Sequence, residues 1–189
     1  MENEAVAVAN EQADKWKKEL FDWVETLVIA LSVVMIVFTF LFRLVNVKGG
    51  SMDNSFHDQD RVVISDIGYT PSQGDVVVLA LPQYFSEPII KRIIAVGGQT
   101  VDIDFATGTV YVDGKALEEP YIKEKTYTSG RKSFPMYIEE GNVFVMGDNR
   151  NASTDSRDFG QVDAKNVMGR VVFRLFPFDK IGLIDSGGE

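Results

Sequence analysis

Hydrophobic and polar positions divide the chain near residue 45. From Thr26 to Phe42 seventeen residues run without a charge between Glu25 and Arg43. Within that run Leu27, Ile29, Leu31, Val33, Ile36 and Phe38 point to every side of a helix rather than to one face. At about 1.5 Å per residue the run is about 25 Å long, slightly under the roughly 30 Å hydrocarbon core, so Trp23, Leu44 and Val45 are read as extending it while Arg43 snorkels. The pattern predicts one spanning helix over residues 26–45, since a small soluble domain rarely encloses a helix that is apolar all round. Residues 1–25 are expected to stay attached, because no small-x-small site follows the run before Arg43. Charge does not orient the span: Lys15, Lys17 and Lys18 on one flank balance Arg43, Lys48 and Arg61 on the other. Trp16 and Trp23 share a helical face and suit either a headgroup position or ordinary packing.

Beyond Val47 the period changes. Short β-branched runs at Val62–Ser65, Val76–Leu81, Ile89–Val96, Val101–Ile103, Thr109–Val112, Val143–Met146 and Val171–Phe176 predict strands separated by turns. Asp113-Gly114 between extended arms is a hairpin signal, and Gly97-Gly98 marks another turn. With no long helical periodicity after the anchor, residues 46–189 are expected to form a mainly antiparallel β domain. Glu118–Ser133, with mixed charges, Pro120 and Gly130, reads as a surface loop.

The formal net charge of −9 disfavours a nucleic-acid partner, which needs a cationic face. The chain has no cysteine and one histidine, His57, which removes disulfides, thiolate nucleophiles and zinc sites built on Cys or paired His. Acyl-transfer chemistry here needs a base other than imidazole, unless His57 serves.

Three islands carry candidate chemistry: Gly49-Gly50-Ser51-Met52, Ile89 to Ile94 around Lys91-Arg92, and Met146 to Arg157. In an extended strand Lys91 and Arg92 point to opposite faces, so one of the two is expected to face the interior. A desolvated lysine loses charge toward neutral pH and can act as a general base, although a lone lysine at a strand edge can equally snorkel to water. Ser51 after two glycines presents a hydroxyl without steric cost, and alone reads equally as a flexible turn. Paired with Lys91 it makes a nucleophile and base that need no imidazole. Ser153 is a hydroxyl suited to orient the amine, whereas Asp155 and Arg157 read as a supporting ion pair.

Together these islands resemble the bacterial type I signal peptidases, membrane-bound serine-lysine proteases that remove signal peptides from exported proteins. The resemblance rests on the anchor, Gly-x-Ser-Met at Gly49–Met52, Gly-Asp-Val-Val-Val at Gly74–Val78, Lys-Arg-Ile-Ile-x-x-x-Gly at Lys91–Gly98 and Gly-Asp-Asn-Arg-x-x-Ser-x-Asp-Ser-Arg at Gly147–Arg157. It implies Ser51 as acylating nucleophile, Lys91 as its base, Ser153 bonded to Lys91, and Asp155 and Arg157 as supporting residues. It implies the Ser51 N–H as an oxyanion donor and leaves the second donor open, because Gly49 stands where some members offer a hydroxyl. The resemblance further implies that Asn46, Val47 and the residues to Gly49, Met52, and Pro88, Ile89 and Ile90 hold the substrate, largely as an added strand with pockets for alanine at the first and third positions before the cut. Asn54, Ser55 and Phe56 replace the family's usual proline, threonine and leucine, and Gln73 replaces an arginine, which points to a looser turn after the nucleophile.

Read this way, residues 1–25 are cytoplasmic and the β domain lies outside a bacterial cell membrane. The expected partners are preprotein signal peptides, the lipid bilayer and the translocation machinery, with neither metal nor cofactor. Ser51 lies nine residues past Phe42, within about 30 Å of the apolar run, close to where a preprotein's cleavage site emerges. Two other readings are a self-cleaving repressor-type serine-lysine peptidase, disfavoured by the anchor and the absence of a DNA-binding leader, and a tethered β module that only binds peptides.

Overall fold

The computed structural model describes residues 2–184, with the backbone only for 2–14, 38 and 40. The Phe38 side chain and the last five residues of the expected β domain therefore lie outside the described part. Helix α1 spans Glu2–Leu41. Its stretch Lys15–Val37 is long and apolar enough to cross a membrane, and none of its most apolar window is buried. The helix stops earlier than the hydrophobic run suggests. Arg43–Asn46 is strand β1, paired antiparallel with β2 (Arg61–Ser65), Leu44 opposite Val63 and Val45 opposite Val62. Leu44 and Val45 thus do not extend the helix: Val45 packs against the sheet's core, and the apolar run continued past the point where cross-strand pairing takes over.

The chain divides into two compact units, 1–41 and 42–189. In the second, the remaining strands are β3 (Val76–Leu79), β4 (Ile89–Val96), β5 (Thr100–Asp104), β6 (Thr109–Val112), β7 (Lys115–Ala116), β8 (Met136–Tyr137), β9 (Asn142–Met146), β10 (Val162–Asp163), β11 (Val167–Phe176) and β12 (Gly182–Leu183). A short helix, α2, covers Ser156–Phe159. The larger sheet runs β1-β2-β11-β3-β4-β9-β10, with β12 on β11, and the smaller runs β7-β6-β5-β8. All pairings are antiparallel. The Asp-Gly hairpin forms as expected, Asp113 and Gly114 both at positive φ (52° and 76°), between β6 and β7.

Alternation along β3 and β4 builds two cores on opposite faces. Val76, Val78 and Ile90 pack with Val47, Met52, Phe56, Val62 and Ile64, whereas Val77, Leu79 and Ile93 pack with Val143, Val145 and Phe159. A third cluster joins Ile94, Phe144 and Met146 to Val101, Ile103 and Val110 of the smaller sheet. In strand order β1 stands four places from β4, yet Val47 and Met52 share a core with Ile90. The sheet must therefore curl. Strand β11 supplies the bend, with register irregularities between Val167 and Gly169, Val171 and Phe173, and Arg174 and Phe176. Gly169 allows the closest approach there: a Cβ would lie 2.9 Å from the Ser65 carbonyl oxygen.

Candidate active site

Ser51 follows β1 in a tight turn held at several points. Gly49 lies at φ +78°, and its N–H donates to Asp58 Oδ1 at 2.8 Å. The Asp53 N–H donates to the Gly50 carbonyl at 3.1 Å, and the Ser55 and Phe56 N–H groups donate to that of Met52. The turn is anchored rather than loose. Phe56 is buried beneath the Arg174 guanidinium, which stacks 4.5 Å from the ring centroid and donates to the Ser55 carbonyl. Asn54, at φ +96°, donates to the Tyr121 carbonyl at 2.9 Å. The departures at 54–56 therefore carry their own fastening.

Strand β4 buries both of its cations, not one. Lys91 is 3% exposed and Arg92 4%. Lys91 stands opposite Val77 on the face of the Ile93 core, and its Nζ lies 2.6 Å from Ser51 Oγ and 3.0 Å from the Ile90 carbonyl oxygen. Burial pushes its pKa down from 10.5 to about 8, against the attraction of Asp155 and Asp148 and with a smaller push from Arg157. Arg92, on the other face, is neutralised by a two-pronged bond to buried Asp148 (2.9 and 2.8 Å), donates to the Gly74 carbonyl and lies 3.9 Å over the Tyr121 ring.

The third island follows β9, whose last residue, Met146, pairs with Arg92. Its Asp155 accepts from the Gly147 and Arg157 N–H groups and from the Arg157 guanidinium at 2.8 Å. Arg157 also donates to the Thr128 and Arg150 carbonyls. Ser153 departs from expectation: its Oγ is buried without a hydrogen-bond partner, and Lys91 is bonded to Ser51 and the Ile90 carbonyl instead. The hydroxyl packs against Gly147, where a Cβ would fall 2.3 Å from both Ser153 Oγ and the Ser51 carbonyl oxygen. Asn149 went unassigned in the sequence, yet its N–H donates to the Ser51 carbonyl at 3.1 Å and its Nδ2 to the Gly50 carbonyl at 2.9 Å. Glu118–Ser133 is a largely exposed loop without helix or strand, as expected, yet it is pinned from the third island. Arg150 binds Glu119 at 2.6 Å and Thr126 at 3.1 Å, and Thr126 is fully buried. The only sequence signal for this clasp was the count of opposite charges in the two segments.

A small cleft of about 10 Å³, room for roughly one small group, is lined by Val45, Asn46, Val47, Lys48, Val78, Pro88, Ile89 and Ile90. These include both segments expected to hold substrate. Met52 does not line it; it is fully buried in the adjoining core, where the turn after Ser51 places it. His57 is exposed, and its N–H donates to Asp60. Among the described residues no cluster of three or more His, Cys, Asp or Glu could hold a metal ion.

The model of the family described as "Signal peptidase, peptidase S26" matches residues 20–176. The chain belongs to that family. It is 35% identical over 182 residues to Signal peptidase IB of Staphylococcus aureus, covering 87% of this chain and 93% of that one. To Signal peptidase I of Bacillus licheniformis it is 33% identical over 189 residues, covering 94% and 100%. A crystal structure of a signal peptidase I from Enterococcus faecalis V583 is similar at a TM-score of 0.46 and 28% identity, over 55% of this chain and 98% of that chain. As a member of the signal peptidase I family the chain is a peptidase, and its apolar N-terminal helix fits a membrane-anchored one.

Proposed function

We propose that this chain cuts N-terminal signal peptides from exported preproteins after small residues, through an acyl-enzyme on Ser51 with Lys91 as general base. The observation that carries the reading is the 2.6 Å approach of Lys91 Nζ to Ser51 Oγ by an amine whose pKa is about 8. A neutral amine has two N–H donors and one lone pair. With one N–H on the Ile90 carbonyl, the lone pair is free to face Ser51 and take its proton as Oγ attacks the scissile carbonyl. The Ser51 N–H meets the developing oxyanion. The Lys91 ammonium then protonates the departing amine of the mature chain, and the amine so regenerated deprotonates the water that releases the signal peptide.

The cleft supports the substrate class. Strand β1 is at the sheet edge, and β9 pairs with β4 only from Arg92 onward, so Ile89–Lys91 also keep an unpaired edge. Because Val47 bonds back to Asp60 and Gln59, alternation turns the backbone of Asn46 and Lys48 toward the open side. An extended peptide adds as a strand between these edges, and a cleft this small admits alanine. Residues 1–25 face the cytoplasm in this reading, the β domain faces outward, and the partners are preproteins, the bilayer and the translocation machinery. The full chain in detergent, given a preprotein with an Ala-x-Ala site, is expected to yield a product whose mass places the cut after the second alanine. Ser51→Ala and Lys91→Ala should each abolish cutting with the fold preserved; full cutting by either variant contradicts the assignment.

A further inference from the structure

The proposed chemistry places one hydrogen-bond donor, the Ser51 N–H, at the oxyanion, and Gly49 has no hydroxyl to add a second. That N–H shares a rigid planar peptide unit with the Gly50 carbonyl, so the direction of one dictates the direction of the other. The Gly50 carbonyl oxygen accepts from Asn149 Nδ2 at 2.9 Å and from the Asp53 N–H at 3.1 Å. Asn149 grips the following peptide as well, through its own N–H to the Ser51 carbonyl. Among the described residues, the Ser51 N–H donates to no protein acceptor. It is thus an uncommitted donor pointing away from two anchors on its own carbonyl.

We infer that Asn149 is a positioning residue for oxyanion binding: its side-chain amide holds the Gly50–Ser51 peptide so that the Ser51 N–H is aimed in advance at the tetrahedral intermediate. This rests on the assignment of Ser51 as nucleophile. The amide acts twice over. It removes rotational freedom from a unit that follows two glycines, Gly49 and Gly50, the least restrained residues available. By accepting its hydrogen bond, the carbonyl also polarises the peptide and strengthens its N–H as a donor. Asn149→Ala takes no hydrogen bond from Lys91, which is held by Ser51 and the Ile90 carbonyl.

The test is Asn149→Ala, which keeps the backbone bond to Ser51 and loses the side-chain bond, with Asn149→Asp as a same-sized variant whose carboxylate faces the carbonyl instead of donating to it. Removal of an oxyanion donor outright costs about 100- to 1,000-fold in kcat, so its misdirection is expected to cost about 10- to 100-fold, and more in the Asp variant. In Asn149→Ala, KM and the midpoint of the pH profile should hold. Two ligands separate positioning from general structural damage. A peptide ending in alaninal adds Ser51 Oγ to its aldehyde carbon, its carbonyl oxygen takes the charge, and the serine proton passes to Lys91. The same peptide ending in alaninamide forms no adduct. The aldehyde should weaken in parallel with kcat while the amide binds as before. An unchanged kcat, or equal weakening of both ligands, overturns the inference. Cutting retained by Ser51→Ala would instead remove the nucleophile assignment beneath it.

Discussion

At the scale of the residue, the reactivity proposed for Lys91 and its burial have one cause, the loss of water around the amine. Its pKa of about 8 against 10.5 when solvated means that between these pH values the unfolded chain binds more protons, so stability rises with pH across that window. At pH 7 the buried group costs the fold about 3 kcal/mol at most. Lys91→Met, of similar length, removes that cost but leaves the Ile90 carbonyl unpaired, at about 1–2 kcal/mol. The variant should be inactive yet melt higher at pH 7 than the parent, and should lose the gain in stability between pH 8 and 10.5; a lower melting temperature at pH 7 contradicts this. The Ser51–Lys91 pair was legible because side-chain identity carries its chemistry. The Ile90 carbonyl as a partner of the amine was not, because every residue has a carbonyl and only geometry selects one. Ser153 shows the converse: the hydroxyl was legible, whereas its packing against Gly147 rather than a bond to Lys91 depends on a fraction of an ångström.

At the scale of the element, the site is fastened by buried ion pairs that link strands to loops. Arg92 of β4 and Asp148 after β9 are both almost wholly buried, and neither alone is tolerable there. Asp148→Ala should cost about 3–5 kcal/mol in urea unfolding, because it strands a buried guanidinium, and combining it with Arg92→Met should recover most of the loss. Equal destabilisation in single and double variants would show that the pair is not coupled. Strands of four or more residues were largely visible through their β-branched runs. Strands β7, β8, β10 and β12 were not, since two residues show no period. Strand β1 was misread because Leu44 and Val45 continue an apolar run, and their pairing with β2 depends on residues seventeen or more positions away. The clasp of residues 118–133 was hidden for the same reason: Arg150 and Arg157, not local propensity, hold it.

At the scale of the whole molecule, three segments far apart in sequence meet because of how one sheet is ordered and bent. Antiparallel pairing of β4 with β9 sets Met146 beside Arg92, which delivers Gly147–Asn149 to the neighbourhood of Lys91. The irregular β11 curls the sheet until Met52 and Ile90 share a core, which delivers Ser51 from the opposite edge. Composition and motif order pointed to a β-rich domain behind an apolar helix and to a peptidase family; the curl could not be read, because bulges leave little trace in hydrophobic alternation. In the proposed function, catalysis depends on that assembly holding an amine dry while keeping it within reach of one hydroxyl. The most direct test is the pH dependence of kcat/KM for preprotein cleavage by the full chain, which reports the free enzyme's base. The rate should climb about tenfold per pH unit below a midpoint near pH 8 and level off above it. A profile flat from pH 6 to 10, or one falling through pH 8, would contradict a neutral Lys91 as the base.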